Sequence, residues 1–373
     1  MINPRNVVEH LRGLGTSLFV GVPDSLLKPF GQYVMAELPR SSHIITSNEG
    51  ASVAVALGHY MRTKNPALVY LQNSGIGNTV NPLLSLADRA VYGIPMILMV
   101  GWRGQPGVKD EPQHVTQGRV MTAMLDAMEL PYAVVPHDEA GALAAFTTAH
   151  ETAIAEQSPY VLLVEKDTFE LYSGTKGNDA TPDLPSREEA VAALLDVVAD
   201  DALIVSTTGM LSRELFELRE KSGADGASDF LTVGGMGHAS AIALGVAAAE
   251  PDREVWCFDG DGAMLMHTGT MATIGDHGTP NLRHALFNNG VHDSVGGQPT
   301  SINVVDIPAV ALAMNYRSAQ TASSLADLPA IASTMSAAGG PSLVELLVRP
   351  GSRPDLGRPT RTPRESRDRF MGA

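Results

Sequence analysis

The sequence is short of three things, and each shortage excludes something. It has one cysteine, Cys257, in 373 residues. A single thiol rules out an internal disulfide framework and fits a reducing, cytoplasmic setting. Long apolar runs are also missing: the most apolar stretch, 94–101 (IPMILMVG), is too short to span a bilayer, so no membrane role is expected. Basic charge is scarce as well. There are 26 lysines and arginines against 41 acids, a net charge of −15, which excludes a general nucleic-acid binder. Charged residues make up only 18% and hydrophobic ones 44%, so the chain has material for large cores rather than the composition of a disordered one. Its opening, MINPRNVVEHLRGLG, reads as an amphipathic helix, not as a secretory leader.

What the sequence does have is alternation. Short apolar segments and helical ones follow each other along nearly the whole chain, the pattern of parallel α/β sheets. Strands are expected at 17–22, 67–72, 95–100, 160–165, 202–206, 253–259, 284–288 and 342–348. Over 173–185 (SGTKGNDATPDLP) the apolar periodicity gives way to Gly, Pro, Asp and Thr, and the segment reads as a linker. The expected organisation is a first domain over 1–172, that linker, a second domain over 186–350 and a basic tail over 351–373.

The two halves resemble each other. PRNVVEHLRGLG followed by SLFVGVPD in the first half is matched by SREEAVAALLDVVA followed by ALIVSTTG in the second. EGASVAVALG is matched in turn by GHASAIALG. Leu57-Gly58 stands 187 residues before Leu244-Gly245, and Gly75 stands the same distance before Gly262. Order and spacing together indicate two homologous α/β domains.

The most specific motif is Gly260-Asp261-Gly262, followed after 25 residues by Asn288-Asn289. Asp259 closes an apolar strand, so the turn falls at a strand's carboxyl end, where open α/β sheets bind ligands. The glycine-turn N–H groups can cradle a diphosphate, and a helix opening at Ala263 can point its N-terminus at it. One carboxylate, one amide oxygen and one backbone carbonyl, with diphosphate and water oxygens, suit octahedral Mg²⁺. Taken singly, both motifs are ordinary turns; their spacing favours a site. Glu49 follows Asn48, a possible helix cap, and alone would be a first-turn carboxylate favoured by the helix dipole. Met236, in Gly234-Gly235-Met236-Gly237, could equally be a core methionine. Thr207 and Thr208 lie just past the 202–206 strand and join the cofactor-binding candidates. His114 and the His292-Asp293 pair are candidates for moving protons, since a histidine titrates near neutrality and a neighbouring carboxylate can fix its tautomer. Asp24 and Ser25, which follow the first strand, are substrate candidates with Lys28, although a turn with a helix cap explains the first two as well.

With these motifs the chain resembles the thiamine diphosphate-dependent enzymes across both domains. The resemblance implies a metal held by Asp261, Asn289 and the Val291 carbonyl. It implies that Met236 is the apolar wedge under a bent cofactor and that the Gly234 carbonyl faces the aminopyrimidine N4′. Glu49 would bond pyrimidine N1′. In the family the cofactor sits between the first domain of one subunit and the second domain of another, so at least a homodimer is expected, here without the middle domain of larger relatives. Segments 21–29, 101–118, 287–300 and 352–363 resemble the phosphonopyruvate decarboxylases, and more distantly the sulfopyruvate decarboxylases. The implied reaction turns 3-phosphonopyruvate into phosphonoacetaldehyde and CO₂ through the cofactor ylide, in phosphonate and antibiotic biosynthesis. A phosphonate needs cationic partners. Candidates are Lys28, Arg103, Lys109, Arg119, Arg213 and the tail, which from Arg349 onward has seven arginines against three acids. Arg353 and Arg358 are expected in a lid over the substrate. A sulfopyruvate decarboxylase and a non-catalytic thiamine diphosphate-binding subunit are the competing readings; Glu49, Asp261 and Asn289 argue against the second. A dinucleotide-binding dehydrogenase is disfavoured because VGVPDSLL lacks G-x-G-x-x-G.

Overall fold

The computed structural model describes residues 1–172, 174 and 183–372, so most of the expected 173–185 linker lies outside the described residues. The chain divides into two compact units: Met1–Gly177 with Ser294–Pro299, and Asn178–Asp293 with Thr300–Ala373. Residues 294–299, which the sequence places in the second domain, group with the first unit. There Gln298 fills the space left by Gly31, whose Cβ would lie 2.7 Å from its Nε2.

Each unit is built on an all-parallel six-stranded sheet. The first contains β1 (Phe19–Gly21), β2 (His43–Ile45), β3 (Leu68–Gln72), β4 (Met96–Gly101), β5 (Tyr132–Val134) and β6 (Pro159–Val164). The second contains β7 (Leu203–Ser206), β8 (Asp229–Leu231), β9 (Val255–Gly260), β10 (Leu282–Asn288), β11 (Ser318–Ala322) and β12 (Ser342–Leu347). Their orders are β2-β1-β3-β4-β6-β5 and β8-β7-β9-β10-β12-β11. Counted from one to six within each sheet, both read 2-1-3-4-6-5, so the two halves share one topology.

The eight strands expected from the sequence are the four inner strands of each sheet. The four it misses, β2, β5, β8 and β11, are the edges. Inner strands of a parallel sheet are covered on both faces and read as unbroken apolar runs. The edge strands are only partly buried and carry residues such as His43, Asp229 and Gln320, so they leave no such run.

Alternation sends successive side chains into two apolar layers per sheet. Leu68 and Tyr70 enter one layer of the first unit, Val69 and Leu71 the other. In the second unit Trp256 and Phe258 oppose Val255 and Cys257. Burial pushes the Cys257 thiol well above its ordinary range, so the lone cysteine is an inert core residue.

The internal repeat has a physical counterpart. Glu49 opens the helix Glu49–Thr63 just after edge strand β2, and Met236 precedes the helix Ala239–Ala249 just after edge strand β8. Met236 follows Glu49 by 187 residues, the spacing that separates Gly262 from Gly75. A Cβ on Gly75 would overlap the Glu49 carboxylate. One on Gly262 would come within 2.9 Å of the His292 ring and 3.4 Å of Met236. The duplicated glycine therefore makes room for Glu49 in one unit and for Met236 and His292 in the other.

Candidate active site

In parallel sheets all carboxyl ends lie along one edge, and the loops there carry the candidate residues of each unit. In the first unit, Asn48 caps the helix that Glu49 begins by accepting from the Gly50 N–H at 2.8 Å. Glu49 is 6% exposed, and Asn78 Nδ2 donates to its Oε2 at 2.7 Å. Burial pushes its carboxyl above the ordinary range, against the opposing pull of that N–H. A buried carboxyl with a raised pKa is suited to proton exchange.

Beside it in the fold, the ends of β1, β3 and β4 hold a polar cluster. Arg103 donates to Ser25 Oγ at 2.9 Å through Nη1 and grips Asp110 through Nε at 2.8 Å and through Nη2. Asn73 Nδ2 fixes the Arg103 carbonyl at 2.8 Å. His114 stands in the first turn of the helix Pro112–Ala127, and its buried Nδ1 has no partner among the described residues. Burial, and then the charge of Arg103, hold its pKa below the usual histidine range. Lys28 is exposed at the first position of the helix Lys28–Glu37. Lys109 and Arg119 are exposed too. Asp24 makes the bonds of the turn-and-cap alternative. It is buried, and its carboxylate accepts from Leu26 N, Leu27 N and Gln72 Nε2 at 2.8, 3.0 and 2.7 Å. Both oxygens are spent on stapling the loop after β1, because a carboxylate this deep must find donors of its own chain.

In the second unit, Asp261 begins a short helix at the end of β9 and is 4% exposed. Thr300 Oγ1 donates to its Oδ2 at 2.5 Å. Burial pushes the carboxyl up to about 6 in spite of that bond. The neighbouring β10 ends at Asn288, which donates to Glu345 at 2.8 Å and accepts from Gly290 N. Asn289 Oδ1 accepts from Val291 N at 3.1 Å, turning the loop back at Gly290, whose φ is +71°. Thr207 and Thr208 follow β7, and Thr207 N bonds the Phe258 carbonyl at 2.8 Å. Arg213 is half-buried in the first turn of the helix Met210–Ser222. Gly235 and Gly237, with φ of +68° and +86°, bracket the half-buried Met236 in the left-handed region that favours glycine. Gly234 precedes them, and Gly260, Gly262 and Ala263 surround Asp261 at the head of its helix.

Two expectations change here. His292 is half-buried, its partial removal from water pushes its ring down to about 4, and it faces Gly262. Asp293 does not bond it: Asp293 accepts from Arg187 Nη1 at 3.0 Å, Asn289 Nδ2 at 2.7 Å and Gly351 N at 3.1 Å. His292 ends a two-residue strand and Asp293 opens the 3-10 turn that follows, where its carboxylate is taken up by these other donors rather than by the imidazole. Asp293 instead ties the loop to Arg187, which is itself bidentate to Glu214 at 2.7 and 3.0 Å.

The tail also differs from the expected lid. Arg353 pairs with Glu188 at 2.9 Å, with Asp355 at 3.0 Å and with Glu217. Arg361 pairs with Glu220 at 3.0 Å and lies 5.4 Å above the Phe216 ring. Phe370 packs on Phe230 with centroids 5.6 Å apart. Arg353 is thus neutralised by acids of its own unit, and the segment is a strap along the helix Met210–Ser222. Arg358 is exposed.

Comparison with known proteins places this architecture. A family profile described as "Thiamine pyrophosphate enzyme, N-terminal TPP binding domain" matches residues 5–130, and one described as "Thiamine pyrophosphate enzyme, C-terminal TPP binding domain" matches residues 208–346. The chain belongs to the thiamine pyrophosphate-dependent enzymes. Among its relatives is the phosphonopyruvate decarboxylase of Streptomyces viridochromogenes, 38% identical over 99% of this chain and 94% of that one. The phosphonopyruvate decarboxylase of Streptomyces hygroscopicus is 36% identical over 99% and 93%. The sulfopyruvate decarboxylase of Methanosarcina acetivorans is 24% identical over 99% and 97%. Among the described residues, the stretch between the two matches, 131–207, holds β5, β6 and the first helix and strand of the second unit, which leaves no middle domain.

The residues of the second unit fit the thiamine pyrophosphate of this family with a divalent cation. Asp261 is a buried carboxylate with no lysine or arginine paired to it among the described residues, so a metal would supply the missing charge. The Asn289 amide and the Val291 carbonyl lie on the loop that the neighbouring strand delivers, and all three donors are the hard oxygens such an ion prefers.

Sequence reasoning did not find Asn78 or Thr300, which hold Glu49 and Asp261, and it left Arg103 as one cation among many. It also missed a buried chain behind the metal loop. Asp259 Oδ1 accepts from Gly260 N at 2.9 Å, its Oδ2 faces His284 Nε2 at 3.5 Å, and His284 Nδ1 lies 3.4 Å from the Tyr316 hydroxyl. The available signal was polar residues inside apolar strands, Asp259 in β9 and His284 in β10.

Proposed function

We infer that this chain is a thiamine diphosphate- and Mg²⁺-dependent decarboxylase that converts 3-phosphonopyruvate to phosphonoacetaldehyde and CO₂. The observation that carries the reading is 38% identity over 99% of the chain to a phosphonopyruvate decarboxylase, and the buried carboxyls of Glu49 and Asp261 support it. The sulfopyruvate decarboxylase is the more distant relative at 24%, which favours the phosphonate over the sulfonate.

When bound, thiamine diphosphate supplies a carbon nucleophile and an electron sink for the departing CO₂. The chain's own residues do the rest. Asp261, Asn289 and the Val291 carbonyl would hold Mg²⁺, Thr207 and Thr208 would offer hydroxyls and Gly262 and Ala263 N–H groups to the diphosphate, and Gly260, whose own N–H is held by Asp259, would let the backbone approach it. Met236 props the cofactor from the glycine turn, with the Gly234 carbonyl beside it. Glu49 exchanges a proton at its carboxyl. His114 and His292 are the candidates for delivering a proton to the product, His292 the weaker one because its ring is held near 4. Ser25, Lys28 and Arg103 present donors to the phosphonate, Arg103 with its guanidinium fixed by Asp110. The enzyme acts as a homo-oligomer, at least a dimer, in which Glu49 and the metal site of one centre come from different subunits.

The test is a comparison of kcat/KM on phosphonopyruvate, sulfopyruvate and pyruvate with both cofactors present. Phosphonopyruvate is expected to lead by on the order of 100-fold, since an unmatched dianion partner in the site costs a few kcal/mol. Equal values on all three would overturn the substrate assignment.

A further inference from the structure

The two oxygens of Glu49 have different surroundings. Oε2 accepts a 2.7 Å hydrogen bond from Asn78 Nδ2, while Oε1 lies over Gly75, where a side chain would collide with it. Asn78 belongs to the helix Ile76–Pro82, whose N-cap is that same Gly75. One turn after β3 therefore supplies both the gap for one oxygen and the grip on the other. An amide nitrogen donates and does not accept. The carboxyl accordingly turns its carbonyl oxygen, Oε2, toward Asn78 and carries its hydrogen on Oε1.

We propose that Asn78 is the positioning residue of Glu49, orienting the carboxyl and assigning its proton to Oε1, the oxygen that lies against Gly75. This rests on the catalytic role of Glu49 given above. Asn78 does not itself touch the reacting atoms. Its N–H also favours the ionised carboxylate over the neutral one, so burial and Asn78 pull Glu49 in opposite directions.

The experiment that separates this role from a merely structural one needs neither cofactor nor substrate. Thermal unfolding of the cofactor-free protein is followed from pH 4.5 to 8.5 for Asn78→Ala, Glu49→Gln and the double variant. Removing the donor costs more where Glu49 is ionised, because a bond to a charged oxygen is stronger than one to a neutral carbonyl oxygen. The Asn78→Ala penalty should therefore grow as pH rises, and the growth should disappear in the Glu49→Gln background, because glutamine does not titrate. Asn78→Ser, which retains a shorter donor, should show the same contrast in milder form if the alanine variant folds poorly. In the loaded enzyme, kcat of Asn78→Ala should fall by roughly 10- to 100-fold with KM nearly unchanged, the size expected for losing the partner of a proton-transfer group. A penalty that is the same at every pH and in both backgrounds would overturn the proposal. The unfolding readout does not depend on which 2-oxo acid is the substrate, so it stands or falls separately from the functional assignment.

Discussion

Glu49 holds its proton more tightly in the folded chain than in the unfolded one, and this has a thermodynamic signature. Its pKa is raised in the folded chain, so the folded state binds more protons than the unfolded one once pH exceeds about 4, the ordinary glutamate value. Stability tied to this group is present in acid and is lost as pH rises through the folded pKa. Glu49→Gln removes that loss while still accepting from Asn78. The variant should lose turnover by at least roughly 100-fold yet unfold a few degrees higher than wild type near pH 7.5, with the gap closing by about pH 4. A variant that is inactive and also less stable at pH 7.5 would mean that the charge is not under strain. Asp261 makes the matching case in the second unit: Asp261→Ala should abolish Mg²⁺-dependent binding of thiamine diphosphate in a calorimetric titration. Asp261 stands out in the sequence because the GDG…NN spacing is compact, whereas Glu49 alone reads as a first-turn carboxylate and becomes a candidate only through the repeat and the family resemblance. Asn78 and Thr300 do not stand out, because nothing local says that one strand's end will sit beside another's. Asp24 stays open between substrate and turn for a related reason: a carboxylate after a strand looks the same in sequence whether it faces ligand or staples its own loop.

The elements that matter most are the two turns carrying Gly75 and Gly262. Each brings backbone against a functional side chain, at a distance that no Cβ can share. Gly75→Ala should displace the Glu49 carboxylate, costing about 1–3 kcal/mol of stability for the forced repacking and at least roughly 10-fold in kcat. Chemical denaturation and steady-state kinetics read both effects; an alanine variant with wild-type kcat would show that the carboxylate does not need its present seat. The repeat spacing of 187 residues signalled that these glycines correspond, without saying what they touch. The sheets show the same division. Inner strands were readable because burial on both faces forces unbroken apolar runs. The edge strands β2, β5, β8 and β11 are defined by one neighbour and carry no pattern of their own.

At the scale of the whole chain, the charge of −15 is partly balanced within the second unit. The arginine-rich tail neutralises Glu188, Glu217 and Glu220 rather than waiting over a substrate. Truncation after Pro350 should therefore lower the unfolding temperature by several degrees, through loss of a charged network and the Phe370–Phe230 contact, and should leave KM for phosphonopyruvate within about threefold. A large rise in KM with unchanged stability would restore the lid. Shared active sites can be tested by mixing the inactive Glu49→Gln and Asp261→Ala proteins under subunit exchange. Sites built from two subunits should recover roughly a quarter of wild-type activity in a twofold dimer, whereas sites built within one subunit recover none. The most direct measurement of the central claim is product analysis of the purified protein incubated with phosphonopyruvate, with and without thiamine diphosphate and Mg²⁺. One CO₂ and one phosphonoacetaldehyde per substrate consumed, only when both cofactors are present, is the predicted result. No turnover with both supplied, or turnover that persists after both are removed, would contradict it.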